Sequence, residues 1–177
     1  MNKPHHLKSL LAYLLFFAPY CLFAQPGNDV CGSATLITSG TSCTTTAGAL
    51  RVSGVNGTAT AGISAFCGAA ANIDVWYKFV AQSTSPTIQL SGMPLAGMGL
   101  TPRLQLFNTS SCTIATINAN SNNCVSGTNT ATLNLTPSTA LTIGVTYLVR
   151  VFSTTTPAAP STDWIFNICK MGNCLFN

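Results

Sequence analysis

The stretch Asp74-Val75-Trp76-Tyr77-Lys78-Phe79-Val80-Ala81 holds one of the chain's three carboxylates, one of its two tryptophans and its strongest strand signal. Aromatic and β-branched side chains crowd together in this way on a pleated surface that packs on at least one face. The two-residue period puts Val75, Tyr77 and Phe79 on one face and Trp76, Lys78 and Val80 on the other. The first set reads as core. The second mixes a ring with a charge, which suits a partly exposed sheet.

Other segments repeat the pattern at lower strength. Residues 34–38, 47–53, 58–66, 87–91, 103–107, 113–117, 130–135, 147–152 and 163–168 read as short strands. Leu104 and Leu106 point inward while Arg103 and Gln105 point outward, and Tyr147, Val149 and Val151 share a face opposite Arg150. The stretches 92–102 and 154–162 are loops, rich in Gly and Pro or in Pro and Thr. No segment past the N-terminus shows a 3.6-residue apolar stripe. Eight or nine strands at this spacing predict an all-β antiparallel sandwich or jelly roll.

Residues 1–24 have the form of a signal peptide. Lys3 and Lys8 precede an apolar run over 10–18, and Leu22-Phe23-Ala24 offers a cleavage site. The rest, 25–177, fits one domain. Both histidines lie within the leader. The remainder keeps Arg51, Lys78, Arg103, Arg150 and Lys170 against Asp29, Asp74 and Asp163, a formal charge of +2. So weak a charge gives no reason to expect nucleic acid as a partner. No later apolar run reaches membrane-spanning length.

Seven cysteines follow the leader: Cys31, Cys43, Cys67, Cys112, Cys124, Cys169 and Cys174. Behind a signal peptide they read as a disulfide framework. There is no Cys-x-x-Cys pair and no histidine beside them, which argues against zinc. Sequence proximity favours Cys31–Cys43 and Cys112–Cys124, each closing a short loop worth roughly 2–3 kcal/mol. Cys67–Cys169 is the third expectation, with Cys169–Cys174 as its alternative.

Chemistry-bearing residues are scarce. Without histidine or glutamate, the chain beyond the leader has almost no material for an acid–base pair or an activated nucleophile. It reads as a non-enzyme. Asn28-Asp29 and Asn72-Ile73-Asp74 place hard oxygens on two loops, which makes Asn28, Asp29 and Asp74 a candidate calcium ligand set; the competing expectation is that each aspartate caps or stabilises a loop next to a strand end. Trp76, Lys78, Arg150 and Phe152 share an outward phase, as in a platform for a sugar or peptide. The competing expectation is that the rings are buried beneath a loop or in the second sheet.

The blocks Asn28-Asp29-Val30-Cys31-Gly32-Ser33-Ala34, Phe66-Cys67-Gly68, Asp74-Val75-Trp76-Tyr77-Lys78-Phe79 and Pro102-Arg103-Leu104-Gln105-Leu106-Phe107 follow one another in order. Ser111-Cys112, Gly144-Val145-Thr146-Tyr147-Leu148-Val149-Arg150-Val151 and Phe166-Asn167-Ile168-Cys169 complete the series. Together they resemble the bacterial pre-peptidase C-terminal domain and its relatives, non-catalytic jelly-roll modules of secreted proteases and adhesins. CUB-like jelly rolls are a weaker analogue. The resemblance implies an extracellular, cell-surface or periplasmic location and an accessory role in binding a polysaccharide or an extracellular protein surface. A structural spacer within an exported protein is the alternative. Some relatives bind calcium in their N-terminal loops, which falls on Asn28, Asp29 and Asp74, although the richer acidic cluster of those relatives is missing. In many relatives the module repeats, or precedes an enzyme or a type IX sorting domain. This chain reaches Asn177 with neither, as a fragment or a stand-alone module would.

Overall fold

The computed structural model describes residues 26–40, 50–53, 58–91, 101–127, 132–155 and 165–171. The leader, Cys43 and Cys174 lie outside them. The longest strands are β4 (Ile73–Val80) and β9 (Thr146–Ser153), paired antiparallel over eight residues from Ile73↔Ser153 to Val80↔Thr146. They form the middle of a five-stranded sheet. Its order is β1 (Thr35–Leu36), β4, β9, β6 (Pro102–Phe107) and β7 (Ser121–Ser126). The second sheet runs β2 (Ser39–Gly40), β10 (Ile165–Met171), β5 (Thr87–Ser91) and β8 (Thr132–Leu135), with β3 (Leu50–Ser53) also pairing β10. The pairings are antiparallel except for the two-residue strands β1 and β2. This is an all-β, disulfide-braced sandwich, as the strand spacing predicts.

The core lies between the sheets. Val75, Tyr77, Phe79, Leu104, Leu106, Val149 and Val151 meet Ile88, Leu90, Leu133 and Leu135 from the opposite sheet. Each large apolar side chain buried this way is worth about 1.5–3 kcal/mol. Both margins of the sandwich are closed. On one side the chain steps from β1 in the first sheet to β2 in the second within two residues. On the other, the Asn123 amide donates to the Thr136 carbonyl at 2.6 Å, and the Ser138 N–H donates to Asn122 Oδ1 at 2.7 Å. Side-chain amides thus bridge β7 to the chain just beyond β8.

Lys170 projects into this core from β10. Its Nζ donates to the Val80 carbonyl at 2.8 Å and to Gln82 Oε1 at 3.4 Å, and lies 5.4 Å from the Phe79 ring centroid. It thereby ties one sheet to the end of the other. Burial pushes its pKa down.

Two expected strands take other forms. Residues 58–66 make turns and extended loop instead of a strand. Residues 113–117 fall largely within a short helix, α1 (Ile114–Ala119). The helix puts Ile114 and Ile117 three residues apart, facing the body of the domain. Ile117 is fully buried, and Ile114 packs so closely on Gly62 that a Cβ there would sit 3.2 Å from its Cγ2. Gly62 also has φ +81°, a conformation glycine takes at no steric cost.

The disulfides differ from expectation. Cys31 pairs with Cys112, not Cys43. Cys67 pairs with Cys124, so neither Cys112–Cys124 nor Cys67–Cys169 forms. The Cα–Cα distances are 5.6 and 5.7 Å, within the normal range. Proximity in sequence misleads here because α1 and the turn into β7 separate Cys112 from Cys124. The bridges instead join segments that meet only in the folded state.

Two outcomes test this architecture. Peptide mapping under non-reducing conditions should recover Cys31 linked to Cys112 and Cys67 linked to Cys124. Removing either bridge should cost about 4 kcal/mol by the chain-entropy model, given sequence separations of 81 and 57. For Lys170 the folded pKa lies below the unfolded value near 10.4, so its contribution is present above that value and lost as pH falls through the folded pKa. Urea midpoints measured from pH 7 to about 10 should therefore rise for the wild type relative to Lys170→Met. Parallel curves would show that Lys170 is not buried as described.

Candidate functional site

The face of β4 that carries Asp74, Trp76 and Lys78 is continued across the sheet by Leu148, Arg150 and Phe152 of β9 and by Arg103, Gln105 and Phe107 of β6. A layer made of the 3-10 turn Cys31–Ser33, residues 58–72 and α1 lies over this face. Trp76, Phe107, Leu148, Cys31, Ala34 and Ile117 form a second apolar cluster beneath it, with Ile63 packed alongside. Asn118 holds the layer together: its Nδ2 donates to the Gly62 carbonyl at 2.9 Å and its Oδ1 accepts from the Ser64 N–H at 2.8 Å. Cys31–Cys112 and Cys67–Cys124 fasten it to the domain.

Asp74 is the polar centre of this face. Its Oδ2 accepts from Arg150 Nε at 2.7 Å, and Arg150 Nη2 forms the ion pair with the same oxygen. Thr60 supplies its N–H to Oδ2 at 3.0 Å and its hydroxyl to Oδ1 at 2.9 Å. The Trp76 indole N–H then donates to Thr60 Oγ1 at 2.9 Å. The guanidinium also lies 4.7 Å from the Phe152 ring centroid and 5.7 Å from that of Trp76. Burial pushes the Arg150 pKa down, while the charge of Asp74 and its hydrogen bonds oppose that shift.

Asn28 and Asp29 serve the β4 edge. The Asn28 carbonyl accepts from the Trp76 N–H at 2.8 Å, and its side-chain Nδ2 donates to the Trp76 carbonyl at 2.9 Å. One residue thus satisfies both backbone groups of Trp76, as a neighbouring strand would. Asp29 accepts the Thr58 N–H on Oδ1 at 2.5 Å and the Thr58 hydroxyl on Oδ2 at 2.6 Å. Thr58 in turn offers its carbonyl to the Asp74 N–H at 3.3 Å.

This arrangement corrects the aromatic platform. Trp76 and Phe152 are buried, as is Arg150, and only Lys78 of the four is half-exposed. The alternating pattern correctly places them on the second face, but a layer without strands covers that face. The calcium set does not fit either. Asp74 is neutralised by a guanidinium, Asp29 is spent on Thr58, and Asn28 turns its amide N–H₂ to a carbonyl. A cation would have to displace Arg150 and Thr58 to reach these oxygens. Among the described residues, no three His, Cys, Asp or Glu side chains come together.

Sequence reasoning missed Thr58, Thr60 and Gln105. The threonines sit in a Thr- and Ala-rich stretch with no motif to single them out. Gln105 alternates with leucines, so its phase predicts solvent, yet it is buried and donates to Ser121 Oγ at 2.8 Å. Arg103 also lies beneath the layer and donates to the Cys67 carbonyl.

Breaking one side of the buried ion pair should be severe. Asp74→Ala leaves Arg150 charged and uncompensated, and urea denaturation should show a loss of about 3–5 kcal/mol. The double variant Asp74→Leu/Arg150→Met should lose less than Asp74→Ala alone. A greater loss in the double variant would contradict the ion-pair account.

No protein-family model matches the chain, and no curated protein matches it.

Proposed function

We propose that this chain is a non-catalytic binding module of an exported protein, one that holds a polysaccharide or an extracellular protein surface without transforming it. The observation that carries the reading is how the ionisable side chains are spent. Asp29, Asp74 and Arg150 are buried and engaged in holding the covering layer and the β4 edge. None is left poised for proton transfer. The two disulfides fit an oxidising, extracellular setting, and the leader-like N-terminus supports export. No helix among the described residues is long and apolar enough to cross a membrane.

The second reading is a structural spacer, favoured by the burial of Trp76, Arg150 and Phe152. Screening the oxidised protein against neutral and acidic glycans and matrix proteins, with parallel hydrolysis assays, separates the two. Reproducible capture without turnover is expected. Silence across the whole screen would favour the spacer, and hydrolysis that co-purifies with the protein would overturn both.

A further inference from the structure

One pairing in the second sheet is held weakly by its hydrogen bonds alone. β2 and β10 run parallel and are paired over two residues, Ser39↔Lys170 and Gly40↔Met171. A parallel ladder is slightly weaker per residue than an antiparallel one, and a ladder this short gains little from cooperation. Both strands end at the Gly40↔Met171 pair, pointing the same way.

Cys43 follows Gly40 by three residues, and Cys174 follows Met171 by three. A parallel register advances by one residue on both strands together, so the step from Gly40↔Met171 leads to Cys43↔Cys174. Neighbouring strands stand roughly 4.8 Å apart, and residues level with each other turn their side chains to the same face. That spacing falls inside the Cα–Cα range of about 4.4–6.8 Å that a disulfide spans. The ladder itself need not continue this far. Equal, short tethers from a shared pair close at little entropic cost.

Cys31, Cys67, Cys112 and Cys124 are bonded to one another, so Cys43, Cys169 and Cys174 are the cysteines left beyond the leader. Cys169 lies within β10, level in register with position 38. It is thus five residues short of Cys43, about 16 Å at strand spacing. It is also five residues from Cys174 along its own chain. Either bond to Cys169 would require a chain to reverse within three residues of the ladder's end.

We infer that Cys43 and Cys174 form a third disulfide, which clamps the β2–β10 edge and leaves Cys169 as the one thiol beyond the leader. The first two bridges fasten the cover on the first sheet, and this one fastens the second sheet at its parallel edge. The oxidant is itself a disulfide. One of the two thiolates attacks it to give a mixed disulfide, and the other displaces it. The oxidant leaves as a dithiol, carrying the two electrons and two protons that the cysteines give up.

The test is to denature the oxidised full chain without reductant and alkylate it at mildly acidic pH, where exchange is slow. Digestion with trypsin and chymotrypsin follows. Cleavage after Leu36 separates Cys43 from Cys31, and cleavage after Lys170 separates Cys174 from Cys169. The expected products are a Cys43 peptide joined to a Cys174 peptide, and a Cys169 peptide carrying the alkyl label. Cys169→Ser should keep the joined pair and lose that label. Cys169 joined to Cys43 or to Cys174 in the wild type would overturn the inference. So would label on all three cysteines.

Discussion

The Asp74 carboxylate sits where three parts of the chain meet. It belongs to β4, accepts from Arg150 on β9 and from Thr60 in the covering layer, and through Thr60 reaches the Trp76 indole. A buried carboxylate is costly unless its lone pairs are filled. Here the residues that fill them also hold the cover in place. The polar network and the apolar cluster of Trp76, Phe107, Leu148 and Ile117 therefore depend on each other. Without the cover, both rings and the ion pair would meet water. Without the ion pair, the cover would close over an uncompensated charge.

The same economy governs the sheet margins. An open edge on β4 would present unpaired backbone groups to any passing strand. Asn28, Thr58 and the two residues of β1 divide that edge among them. At the far margin, Asn122 and Asn123 bridge to the segment after β8. A chain with few charges cannot protect its edges with lysines, and asparagine and threonine side chains perform that task. Their abundance reflects an architectural requirement as well as solubility.

Much of the sandwich is legible in the sequence, because strands β4, β5, β6, β8 and β9 keep an apolar residue at every second position, which assigns their inner faces. The outer face of β4 is less so. Alternation shows that Trp76, Arg150 and Phe152 point away from the core of the sandwich, but not that residues 58–72 and α1 close over them. A covering loop leaves no periodic trace. Residues 113–117 are rich in β-branched side chains and read as a strand, yet the spacing of Ile114 and Ile117 serves a helical turn on Gly62 and the apolar cluster. The disulfide pattern is set by the packing of that layer, and no local signal reports it. The calcium set is two acidic residues and an asparagine whose proximity in space serves strand-edge closure.

The two bridges cross. Cys31 and Cys67 precede both of their partners, so the loop closed by Cys31–Cys112 contains Cys67, while Cys124 lies outside it. Because the chain is made from its N-terminus, Cys31, Cys43 and Cys67 are present before either Cys112 or Cys124. An oxidant that joined thiols in order of appearance would make pairs absent from the native state. The native connectivity forms only after β6, α1 and β7 have been delivered and the cover has settled, or by exchange from earlier pairs. Oxidative folding of this chain thus calls for thiol–disulfide exchange as well as disulfide formation.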